Sequence, residues 1–148
     1  MVPHYSNLRS VTAEDLQALV DGAAEEGIQL EFKQDAYDGD TDEWCKDISA
    51  FANTDGGVIA MGVREEGGVA KEILGIPAAS VDTRIRALTQ KCCSAVRPLP
   101  AVNYWAVGLG NDRAVLLAAA GPSRFRPHAC RQGVRFYKRM PRDRKSVV

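Results

Sequence analysis

Residues 57–63 read Gly-Val-Ile-Ala-Met-Gly-Val, without one polar side chain. An apolar run this short, bounded by turn residues, reads as a strand buried on both faces. Such a strand belongs inside a sheet with other layers above and below it. The residues just before it supply one layer. Trp44, Cys45, Ile48, Phe51 and Ala52 share one side of a helix. Asn53 to Gly57 (NTDGG) stops that helix, because Asn and Gly tolerate the left-handed backbone of a helix end.

The flanking segments fill in the fold class. Thr12 with Asp15 three positions on resembles a capping box. Leu16, Leu19, Val20, Ala23 and Ala24 then follow the stripe of an amphipathic helix that Gly27 ends. Ile28, Leu30 and Phe32 alternate with Gln29, Glu31 and Lys33, which predicts a half-buried strand with Glu31 and Lys33 on its polar face. After a turn at 65–68 and the weaker strand VAKEILGI, Ser80 is placed to cap a third helix. Its Val81, Ile85, Leu88 and Cys92 recur at helical spacing until RPLP (97–100) breaks it. VNYWAV and RAVLLAA, joined by GLGND, read as a hairpin. A basic loop, PSRFRPHACRQG, leads into a last strand, VRFYKR. This order is neither clean βαβ alternation nor all-β. It predicts one α+β domain with a mixed or antiparallel sheet and about three helices. We expect an N-terminal extension over 1–10, the domain over 11–140 and a basic tail over 141–148.

With 148 residues, the chain needs no disulfide or metal staple to build a core. No apolar run approaches a membrane span, and the first ten residues lack the apolar core of a secretory signal. The expectation is a cytoplasmic protein without a membrane partner, its four cysteines reduced. The formal net charge is zero, yet the charge is sorted. Residues 1–70 hold 4 basic and 15 acidic side chains, whereas residues 124–148 hold 9 and 1. That asymmetry points to an anionic partner or to pairing between the two ends of one fold.

GGVIAMGV lacks the GK[ST] of a phosphate loop, and GLGND lacks the third glycine of a dinucleotide fingerprint. No nucleotide cofactor is expected. If their strands are neighbours, Glu26, Glu31 and Glu65 converge, and such a cluster suits Mg²⁺ or Mn²⁺. The alternative, which spacing alone favours, is solvated acids on an acidic surface. Lys33, on Glu31's face, is placed to be their counter-ion or to contact a scissile phosphate. In the last strand Arg135, Tyr137 and Arg139 share one face, with Arg124, Arg126 and Arg131 in the loop before it. Arginine pairs bidentately with phosphate, and tyrosine stacks on an unpaired base. The alternative for this basic end is a solvated strand neutralising the acidic half.

LEFKQD, DISAFANTDGGVIAMGV and RPHACRQGVRFYKR together resemble the three signatures of the Schlafen AlbA domain, from about Glu26 to Arg139. The resemblance implies a nucleic-acid-binding fold acting on RNA or DNA, mostly through backbone and shape. In animal members it also implies metal-dependent cleavage of RNA by three acids, and Glu26, Glu31 and Glu65 occupy the matching positions. Where that family commonly has Asp-Asp, this chain has Arg64-Glu65, which sets a positive charge beside the presumed metal. Animal ribonucleases of this type pair two domain copies. This chain carries one, and a homodimer is the corresponding partner expectation. The resemblance further implies a zinc site near Cys92, Cys93, His128 and Cys130, a ligand set that zinc takes tetrahedrally. Cys92 also lies on the apolar stripe of its helix, where a small buried hydrophobe is the default. Three functions follow for testing: a nucleic-acid-binding module, a metal-dependent endoribonuclease, and a regulatory or protein-interaction domain.

Overall fold

In the computed structural model, residues 1–130, 135–140 and 146–147 are described, with Arg135, Ser146 and Val147 entering by backbone alone. The elements run α1 (Ala13–Asp21), β1 (Leu30–Lys33), α2 (Thr41–Ala52), β2 (Gly57–Met61), β3 (Val63–Glu66), β4 (Val69–Ile73) and β5 (Ile76–Pro77). They continue with α3 (Val81–Ala95), β6 (Val96–Arg97), β7 (Asn103–Gly110), β8 (Arg113–Ala120), β9 (Ala129–Cys130), β10 (Arg135–Lys138) and β11 (Ser146–Val147). This is an α+β domain with mixed and antiparallel sheets, as the sequence predicts.

The apolar run is central. All five residues of β2 are buried, with β1 parallel on one side and β8 antiparallel on the other. β8 also pairs with β7 and, at its Arg113–Ala114 end, with β5. Two cores cover the sheet. Ile59, Met61, Leu116, Ala118 and Ala120 pack with Trp44, Ile48 and Phe51 of α2 and Leu88 and Cys92 of α3. Leu30, Phe32, Val58, Ala60, Val115 and Leu117 pack on the other face with Leu16 and Leu19 of α1. The period of two along β1, β2 and β8 therefore sorts residues between two buried faces rather than between core and water.

Local chemistry sets most boundaries as expected. Thr12 and Asp15 form the reciprocal capping box. Asn111 and Asp112 both take positive φ, 55° and 58°, in the two-residue turn between β7 and β8. Three details differ. Helix α1 stops at Asp21, not Gly27: Gly22 caps it and Ala23 turns left-handed at φ 50°, so Ala23 and Ala24 leave the helical stripe. Ser80 does not cap α3, because its hydroxyl donates back to the Pro77 carbonyl at 2.7 Å. The GVIAMGV run breaks at Gly62, which adopts φ 111° against Gly75 and divides β2 from β3.

The ends of the chain are more integrated than the sequence suggests. Leu8 is buried in the α1-side core, so the N-terminal extension packs on the domain. Ser146 and Val147, within the expected basic tail, pair antiparallel with Lys138 and Tyr137. β10 in turn pairs with β9, and β9 with β6, making a second sheet over α2.

Candidate functional site

Glu31 is the pivot of the site, and it does not face water. Its Cα partner across the ladder is Ile59, whose side chain belongs to the α2-side core, so the polar face of β1 lies under α2. Glu31 is 3% exposed. Its Oε1 accepts from Arg139 Nη1 at 3.0 Å, and the Lys33 ammonium lies 3.7 Å from Oε2. The same Lys33 stands 3.8 Å from Oδ2 of Asp47, a fully buried acid on α2. Tyr37 donates its hydroxyl to that Oδ2 at 2.6 Å.

Two buried carboxyls side by side cannot both be ionised cheaply. Burial, and then the charge of Glu31, push Asp47 well above the usual carboxylate range. Burial also pushes Glu31 up, but the Asp47 hydrogen bond and the Arg139 and Lys33 charges outweigh it and hold Glu31 low. Among the described residues Glu31 Oε2 has no hydrogen-bond donor. The opposed shifts make Asp47, not Glu31, the holder of any proton the pair shares. Burial, with the Asp47 and Glu31 charges next, raises Tyr37 well above a normal phenol.

Arg139 closes this network. Its guanidinium also donates to the carbonyls of Gly27, at 2.7 Å, and Ile28, at 3.4 Å, and lies 4.4 Å from the centre of the Phe51 ring. It is 2% exposed and Tyr137 7%. The sequence reading placed both on a solvent-facing nucleic-acid surface; they instead face α2, because β10 is laid over that helix. The alternation along β10 is real, but its regular face is an inner one. Arg131 lies outside the described residues, as does the side chain of Arg135.

The other two acids are spent on backbone. Glu26 Oε2 accepts the Phe32 N–H at 2.8 Å, and Glu65 Oε2 accepts the Gly68 N–H at 2.7 Å. The segments meet, since the Glu26 N–H donates to the Gly68 carbonyl at 2.6 Å. Yet Glu31 is turned to the α2 side and engaged by Arg139. Among the described residues no group of three His, Cys, Asp or Glu side chains can hold a metal ion. The expected solvent-open cluster of Glu26, Glu31 and Glu65 is therefore not formed, while Lys33 does stand as the counter-ion of Glu31, with the Asp47 carboxyl also 3.8 Å away.

The expected zinc set also separates. Adjacent helical residues diverge by about 100°, so Cys92 is buried and Cys93 exposed. Cys92 instead hydrogen-bonds Cys45, which pushes Cys45 up and Cys92 down. Cys130 lies 3.3 Å from the Ser49 hydroxyl. His128 is buried, with Nδ1 2.5 Å from the Pro98 carbonyl and, among the described residues, no partner on Nε2. None of the four cysteines is disulfide-bonded in this structure.

Asn53 links the middle signature to the last one. Its amide donates to the carbonyls of His128, at 3.1 Å, and Tyr137, at 2.6 Å, and its oxygen accepts the His128 N–H at 2.6 Å. Read from sequence as a helix stop, it is also the clamp that holds β9 and β10. Beside it, Arg126 donates to the Thr54 carbonyl at 3.1 Å. Arg124, Phe125 and Arg126 are exposed on the loop this clamp anchors.

The segments that meet at Asn53 and Arg139 are those of one family's signatures. The family model described as Schlafen, AlbA_2 matches residues 26–147. The chain belongs to that family. In Schlafen AlbA_2 terms, the LEFK strand supplies Glu31 and Lys33, the ISAFANTDGG segment supplies Phe51 and Asn53, and the final strand supplies Arg139. The fold is also that of the DIP2311 protein from Corynebacterium diphtheriae, at TM-score 0.57 and 17% identity. That match covers 90% of this chain and 29% of the other, so the chain spans under a third of its length. A second likeness is the N-terminal domain of a protein from Nitrosomonas europaea described as related to the ATP-dependent DNA helicase RecG. There the TM-score is 0.52 at 24% identity, covering 76% of this chain and 74% of that one. At these identities the likeness is one of fold. No curated protein matches the sequence significantly.

Proposed function

We propose that this Schlafen AlbA_2 domain binds nucleic acid, through the exposed loop that carries Arg124 and Arg126. The observation behind the proposal is the contrast between the arginines. Arg139 is consumed inside the fold, whereas among the described residues neither Arg124 nor Arg126 is ion-paired. The Arg124 guanidinium, and the donors of Arg126 not spent on the Thr54 carbonyl, are open to pair with phosphate. Family membership supports the reading, as does the DNA-helicase description of one fold relative. Contacts of this kind read backbone and shape rather than sequence.

The test is fluorescence anisotropy of labelled RNA and DNA oligonucleotides across a salt series, with and without Mg²⁺ or Mn²⁺. Binding that weakens linearly in log–log against salt is the expected result. No salt-dependent binding to either polymer would favour the protein-interaction alternative. Running the products on a denaturing gel reads metal-dependent cleavage in the same samples.

A further inference from the structure

We infer that Phe125 is a base-stacking platform that makes the basic loop select unpaired strands over duplex. The inference rests on the nucleic-acid reading above and names the form of polymer that this loop takes.

Phe125 is 75% exposed, the most exposed of the large hydrophobic side chains described. A single exposed apolar residue is ordinary. This one differs in its neighbours and its support. It is an aromatic ring set between two exposed arginines, so cationic groups that bind phosphate flank a flat apolar face. The alternation of backbone charge and base face along a single strand matches that pattern.

The loop is also held in place. The Ser123 N–H donates to the Ala52 carbonyl at 2.9 Å, and the Phe125 N–H to the Ser123 hydroxyl at 3.1 Å. Arg126 is fixed to Thr54 at 3.1 Å, and His128 is held on both sides by Asn53. The His128 ring further ties the loop to the Pro98 carbonyl, beside Leu99, a second exposed apolar side chain at 53%. A ring carried on an anchored loop loses little freedom when a base stacks on it. In a duplex the base faces are already stacked on one another, and only the phosphates remain for Arg124 and Arg126.

The experiment compares the unmodified chain, Phe125→Ala, Phe125→Tyr and the double variant Arg124→Ala/Arg126→Ala. Each is titrated against a fluorescein-labelled twelve-nucleotide poly-dT strand and a twelve-base-pair duplex. Phe125→Ala is expected to lose about 5- to 150-fold on the single strand, the range of one base–aromatic stack, and under twofold on the duplex. Its salt slope should not change, since a neutral ring releases no counterions. Phe125→Tyr should bind as the unmodified chain does. Because the ring is exposed, Phe125→Ala should melt as the unmodified chain does, and a melting curve on each variant separates lost binding from misfolding. Equal losses on both polymers, or no loss on the single strand, overturn the stacking role. If the arginine variant weakens binding while Phe125→Ala does not, stacking alone fails. If the unmodified chain binds neither polymer, the nucleic-acid reading fails with it.

Discussion

Arg139 and Glu31, 108 residues apart in the chain, meet at 3.0 Å with both side chains almost wholly out of solvent. The contact joins the first signature strand to the last. It also fixes how β10 lies across α2, since the guanidinium rests on the Phe51 ring while capping the Gly27 and Ile28 carbonyls. Here one acid of the acidic front and one arginine of the basic end neutralise each other, inside the fold.

Removing one partner of a buried ion pair leaves an uncompensated charge, so Arg139→Met should cost about 3–5 kcal/mol. Glu31→Leu should cost a similar amount. The double variant should recover part of the loss but not all, because two backbone carbonyls remain without the guanidinium. Urea titrations of the four proteins give the coupling. Additivity of the two single losses within about 0.5 kcal/mol would mean the pair carries no linkage.

Phe51 is fully buried, and a Cβ on Gly57 would collide with its ring. Phe51→Ala should therefore cost about 3–5 kcal/mol. Gly57→Ala should destabilise by overpacking, about 1–3 kcal/mol, and Phe51→Leu in that background should restore part of it. A Gly57→Ala melting curve identical to that of the unmodified chain would show that the ring has room to move.

The sequence carries the helix and strand pattern well because α1, α2, β2 and the β7–β8 hairpin each have strong local signals. Thr12 with Asp15, the NTDGG stop and the Asn111-Asp112 turn need no tertiary context. The site was harder to read. Alternation in LEFK shows which residues share a face with Glu31, but not whether that face meets water or another layer. Arg139 and Tyr137 were misplaced for the same reason. Asp47 could have been found, since it falls three residues after Trp44 and four before Phe51, on the apolar stripe of α2. Asn53 explains itself as a helix stop, which hides its second role at His128 and Tyr137. Phe125 is one aromatic in a basic loop, and only its exposure distinguishes it.

The salt dependence of binding should localise the partner surface. Arg124→Ala/Arg126→Ala should flatten the log–log slope by about two, one per lost phosphate contact. Arg139→Met should act instead through unfolding, with a lowered melting temperature. An unchanged slope in the loop variant moves the binding surface elsewhere.

The carboxyl pair makes stability depend on pH in two directions. Glu31 is held below its ordinary value of 4.5. Its contribution is therefore present above that value and lost as pH falls through the lowered folded-state value. Asp47 is pushed well above its ordinary 3.8. The native state there keeps a proton that the unfolded chain releases, so this contribution is complete below 3.8 and is lost as pH rises towards the raised value. The unmodified chain should thus lose this contribution progressively as pH rises above 3.8 towards the raised value. Asp47→Asn keeps an acceptor for the Tyr37 hydroxyl and a donor for Glu31 Oε2, but cannot ionise. Its stability should be flatter between the ordinary carboxylate value of 3.8 and the raised Asp47 value, and the two curves should converge or cross as pH rises. Denaturant midpoints at a series of pH values read this directly. Parallel curves across the range would mean that Asp47 carries no proton in the native state.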